Sequence, residues 1–183
     1  LTAWRALVSK LDDDGRMSVA NEFVDPLATI ALNLPYVIRS RFVFAAAHLC
    51  HQANRAKNRK TWKDDLPLDD EIYFGQADKC GGPWKRYTKF KMGVERIGAK
   101  DFQAATANFR NTYNHRFSPR IVIGQTQIVT RVVDAQTGKI SYGYGGTDPL
   151  TLDVVVKLLE QQCTHCYKAF DGFQKLVNEH EAA

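Results

Sequence analysis

The segment from Pro35 to Lys57 constrains the fold most. Val37, Phe42, Phe44, Ala45 and Leu49 recur at helical spacing. The middle of the segment is apolar nearly all round, which predicts a helix at the centre of a bundle. Pro35 suits the first turn of that helix, where a missing N–H costs nothing. Leu1 to Leu11 carries Trp4, Leu7, Val8 and Leu11 on one face, and Asp12-Asp13-Asp14-Gly15 breaks it. Ser18 then reads as the cap of a second helix to about Asn33, with Val19, Phe23, Leu27 and Ile30 at helical spacing and a kink at Pro26.

Asn58 to Pro83 reads as a long irregular connection, holding Pro67, Gly75 and the Cys80-Gly81-Gly82-Pro83 turn. A helix follows from Trp84 to Ile97, ended by Gly98. Asp101 caps the next, with Phe102, Ala105 and Phe109 on one side, to about His115 ahead of Pro119. The pattern then changes to β-branched residues: Ile121, Ile123, Ile128, Val129, Val132 and Val133. Gln136-Thr137-Gly138-Lys139 predicts a turn, and Ile140 to Tyr144 a return strand. Asp148-Pro149 opens a last long helix, Leu150 to about Glu179. The expected architecture is mainly α. It is a single helical-bundle domain over residues 1–183, with N-terminal helices in 1–34 and core helices in 35–116 around a long loop at 58–83. A β-hairpin arm at 119–146 is inserted before the last helix at 148–181.

The length, 183 residues, suffices for one sizeable core. The net charge of +5 and the pI near 9.0 favour polyanions such as RNA. No run approaches the ~20 apolar residues of a membrane span. No signal-peptide pattern opens the chain, and Leu1 in place of Met suggests a trimmed start. Four cysteines are too few for a disulfide scaffold, so a reducing cytoplasm is expected.

One run is site-like: Arg110-Asn111-Thr112-Tyr113-Asn114-His115. Five steps along a helix leave positions 110 and 115 about 140° apart. They meet only if the helix loosens near Asn114. Arg offers a planar fork of donors matched to phosphate oxygens. His exchanges a proton near neutral pH. In RNA the 2′-OH is a built-in nucleophile, so a base and a cation suffice for cleavage. Asn111 can hold the Arg or the substrate, and Arg116 and Arg120 add charge for RNA binding.

These residues resemble the R-x4–6-H signature of HEPN domains, in the form where a polar Asn follows the Arg. HEPN proteins are small helical bundles, many of them metal-independent ribonucleases of prokaryotic defence and toxin–antitoxin systems. The resemblance implies that Arg110 and His115 are catalytic and Asn111 supports them, with RNA as substrate and no cofactor. It also implies a homodimer whose cleft both Arg/His pairs line, and an antitoxin partner. The hairpin is not part of the minimal family fold, and Phe117 stands where members silenced by adenylylation carry a Tyr. HEPN-like proteins without nuclease activity also exist. The alternative is an inactive binding or assembly module with the hairpin arm as its partner surface.

Three other features compete. His48, His51, Cys163 and Cys166 form H-x2-H and C-x2-C pairs that could hold zinc if their helices touched; packed core residues are the plainer reading. Trp84-Lys85-Arg86-Tyr87-Thr88-Lys89-Phe90-Lys91 interleaves aromatics with bases. It is either a stacking surface or an amphipathic helix with packed rings and solvated lysines. Arg55 to Lys60 is a basic helix end, and Asp64-Asp65 with Asp69-Asp70-Glu71 reads as a solvated charge run.

Overall fold

The computed structural model describes residues 1–115, 129–144 and 150–183. The expectations placed on Arg116, Phe117, Pro119, Arg120, Ile121, Ile123, Ile128 and Asp148-Pro149 lie outside the described residues. The protein is mainly helical, with an antiparallel two-stranded hairpin before the last long helix.

Two short helices, α1 (Thr2–Val8) and α2 (Asp13–Val19), open the chain. The cap of α2 is Asp12, whose carboxylate accepts from the Gly15 N–H at 2.9 Å, and not Ser18, which lies inside the helix. A π-helical turn, Ala20–Val24, leads into α3 (Asp25–Lys57). The two helices expected on either side of Pro35 are therefore one. Pro26 needs space at the carbonyl four residues back, and that residue, Glu22, lies in the widened turn. Contrary to the expectation that no run approaches a membrane span, the helical run from Asp13 to Lys57 contains a stretch apolar and long enough, by composition and length, to cross a membrane.

α3 buries a different face from the one its apolar residues suggest. Val24 of the π-helical turn is buried, as are Ala28, Leu32, Tyr36, Val43, Ala46, Ala47 and Cys50 of α3, whereas Leu27, Ile30, Leu34, Val37 and Phe44 are exposed, Ile30 at 65%.

The segment 58–83 is not irregular throughout. It holds a 3-10 turn, Asp69–Glu71, and α4 (Phe74–Gly81). The start of α4 is closed by the Gln76 side chain, which accepts from the Tyr73 N–H at 3.0 Å. α5 (Tyr87–Glu95) follows. Gly98, at φ +60, turns the chain beneath the Tyr36 ring, and its N–H donates to the buried Gln162 Oε1 at 2.8 Å. The helix expected from Asp101 to His115 is broken into α6 (Lys100–Ala105) and α7 (Phe109–His115). The break is at Ala107 and Asn108, both left-handed at φ +48 and +54. Such a conformation costs an L-residue roughly 1–2 kcal/mol. Buried Thr106 and Phe109 fix the chain on either side.

The hairpin pairs β1 (Val129–Val133) with β2 (Ile140–Tyr144), in a register that sets Val133 opposite Ile140. Asp134 builds its turn: one carboxylate oxygen accepts from the N–H groups of Gln136 and Thr137, and Gly138 supplies φ +66. α8 (Leu152–Glu181) ends the chain.

The residues group into two compact units, Leu1–Leu32 with Thr106–Leu158, and Asn33–Ala105 with Leu159–Ala183. α1, α2, α7 and the hairpin belong to the first; α4, α5 and α6 belong to the second. The second holds the larger aromatic core. Trp84, Tyr87 and Phe90 are buried there with Val94, Ile97 and Leu176, and Phe42 and Phe173 pack on Phe90.

Candidate functional site

In the first unit, α7 presents Arg110, Asn111 and Asn114 to solvent. Phe109 is buried and its ring stacks on Tyr113 at 5.9 Å. The Thr112 hydroxyl donates to the Asn108 carbonyl at 3.1 Å and secures the first turn. The helix stays regular through His115, so the condition set for the two positions to meet, a loosening near Asn114, is not fulfilled. Positions 110 and 115 consequently remain about 140° apart around one axis.

The zinc alternative is not assembled. His48 lies 3.4 Å from Asp69 Oδ1, and His51 is held 3.0 Å from Asp64 Oδ1 with its ring against Trp62. Cys163 is exposed, and Cys166 packs against the core. No three His, Cys, Asp or Glu converge as a metal would require among the described residues. The acidic run has a different task from the one its composition suggests. Asp64 and Asp69 meet the two histidines of α3, and Asp65 pairs with Lys79 at 2.6 Å, so the segment is pinned down within its unit. Lys79 holds the Asp65 carboxyl below its ordinary range.

The aromatic–basic run divides as an amphipathic helix. Trp84 donates from Nε1 to Asn54 Oδ1 at 2.9 Å, and Asn54 in turn donates to the Cys80 carbonyl. Tyr87 donates to Asp78 at 2.9 Å and covers Gly81, where a Cβ would stand 2.3 Å from its ring. The rings are therefore core, and no stacking platform remains at Trp84, Tyr87 or Phe90. Burial also pushes the Cys50 thiol up to about 12, with Cys80 and Glu179 adding to the shift, so this thiol is no nucleophile.

The sequence reading missed the groove that this arrangement leaves between α5 and α8. The two helices run antiparallel and cross closely. A Cβ on Gly93 would stand 3.4 Å from the Ala169 backbone, and one on Gly172 would stand 3.3 Å from that of Phe90. Glu179 of α8 accepts from the N–H groups of Lys85 and Arg86 at 3.0 and 2.8 Å and closes the start of α5. Above the crossing lies a cleft of about 320 Å³. Its signal is in the sequence: Arg86, Lys89, Gly93 and Arg96 repeat the spacing of His165, Lys168, Gly172 and Lys175. The match becomes visible only once α5 and α8 are known to be neighbours.

Compared with family models, with curated proteins and with solved structures, the chain matches none.

Proposed function

We propose that the protein is a HEPN-like, metal-independent endoribonuclease, acting as a toxin or defence effector, with Arg110, Asn111 and His115 as its reacting set. The observation that carries this reading is the Arg110–His115 run on a solvent-facing helix of a mainly helical protein. In the reaction His115 takes the proton of a 2′-OH, and O2′ bonds to the adjacent phosphorus. The bond to O5′ breaks, and O5′ takes a proton from a protonated imidazole or water. The products are a 2′,3′-cyclic phosphate and a 5′-hydroxyl. Arg110 neutralises the charge that builds on the phosphoryl oxygens.

The regular helix favours a two-protomer version of this site, with Arg110 of one copy serving the phosphate beside His115 of the other. Self-association has separate support on α3. Leu27, Ile30, Leu34, Val37, Arg41 and Phe44 alternate spacings of three and four, the seam of a coiled coil, and the five apolar members are exposed. A seam of this kind is completed by a helix of the same spacing, which a second copy supplies symmetrically. The four cysteines are free thiols, which suits a reducing cytoplasm.

The reading is tested by RNA cleavage with purified protein in EDTA. Wild type should cleave, and His115→Ala should lose about 100-fold or more of the rate, the usual span for a proton-transfer group. Equal inertness of both proteins on varied RNAs would refute it. A second reading, an inactive assembly module, draws on the hairpin. Val133, Ile140 and Tyr142 lie on one face of it and all are exposed.

A further inference from the structure

We infer that the cleft between α5 and α8 binds a nucleic-acid strand through its phosphates. Its walls carry Arg86, Lys89 and Arg96 from one helix, and His165, Lys168 and Lys175 from the other. Antiparallel packing sets Arg86 toward the Lys175 end and Arg96 toward the His165 end, so cations face each other along the whole length. Ten residues of helix span about 15 Å. At 3.4 Å per nucleotide along a helical strand, that is room for roughly four or five phosphates.

Asp171 is the one carboxylate lining the cleft. Five Lys and Arg against one Asp leave four of the chain's five net positive charges here. Among the described residues none of these five cations pairs with a carboxylate. Lys91, on the same helix, is drawn to Asp78 at 2.7 Å and also reaches Glu95. Even with Asp171 in the lining and Glu179 held on the Lys85 and Arg86 N–H groups at one end, cations outnumber carboxylates, and a polyanion relieves their repulsion. The two guanidinium forks suit phosphate oxygens.

Shape selects the class of polyanion. The cations stand on the walls of a concavity whose floor is Phe90, Gly93 and Gly172. A strand enters such a groove, whereas a flat bilayer meets its rim. With the neighbouring rings buried, the cleft offers phosphate contact without base stacking, and so binding indifferent to sequence. The inference does not rest on Arg110 or His115 acting.

The test is fluorescence anisotropy of the full chain with a labelled 2′-O-methyl oligonucleotide, which cannot be cleaved by 2′-OH attack. Wild type should bind and lose roughly 100-fold in affinity between 50 and 200 mM salt, as about five phosphate contacts on a single strand require. Lys168→Glu with Lys175→Glu should weaken binding at least tenfold. Arg59→Glu with Lys60→Glu, an equal charge change elsewhere, should weaken it less than threefold. Arg86→Gln with Arg96→Gln repeats the test from α5, and thermal melts establish that each variant is folded. Equal losses from the cleft and control pairs would overturn the inference. So would binding indifferent to salt, no binding by wild type, or capture by phosphatidylserine vesicles without oligonucleotide binding.

Discussion

His180 packs against Trp84 with ring centroids 4.0 Å apart and the rings tilted by 60°. Its burial holds the imidazole below the ordinary 6.5, and Glu179 only partly offsets this. The unfolded chain takes up this proton near pH 6.5; the folded chain does so only at lower pH. Between those points the unfolded state binds more protons. Stability is therefore full above pH 6.5 and falls as pH drops toward the folded value. Asp65, held below 3.8, titrates outside this window. Melting temperature should decline from pH 7.5 to 5.5 in wild type and decline less in His180→Gln. Parallel declines would contradict the assignment. At this scale the sequence was informative where geometry is local, as at the turn that Gly138 supplies in the hairpin. It was silent on Asn54, Glu179 and Asp134, whose partners are set by packing or by turn geometry.

Among the elements, α3 has the most to test. Helical period was plain in its sequence, but which face it buries was not. Phe23, Leu27 and Ile30 lie at helical spacing from one another, while the true core face uses Val24, Ala28 and Leu32, one or two positions along. Apolar residues surround the helix, so periodicity alone does not choose between the two faces. Helix ends were hidden for a related reason. The break at Ala107 and Asn108 carries no Gly or Pro and is imposed by tertiary structure. If the exposed seam joins two copies, Ile30→Glu with Leu34→Glu should convert a dimer to a monomer in light scattering, with helicity by circular dichroism unchanged. A wild-type monomer, or wild type recovered only with lipid vesicles, would contradict self-association through this face.

One unit holds a cleft rich in positive charge, and the other holds the helix of Arg110 and His115. The mainly helical class and the hairpin before the last helix were legible because each depends on local periodicity and turn chemistry. The cleft was not, because it is made by two helices whose neighbourhood no local pattern encodes. In the proposed function Arg110 of one protomer works with His115 of another. Mixing inactive Arg110→Ala and His115→Ala proteins tests it most directly. After subunit exchange half the dimers are mixed, and each holds one intact site of two, so about a quarter of wild-type RNA cleavage should return. A mixture that stays as inactive as its parents, beside an active wild type, would contradict the shared site.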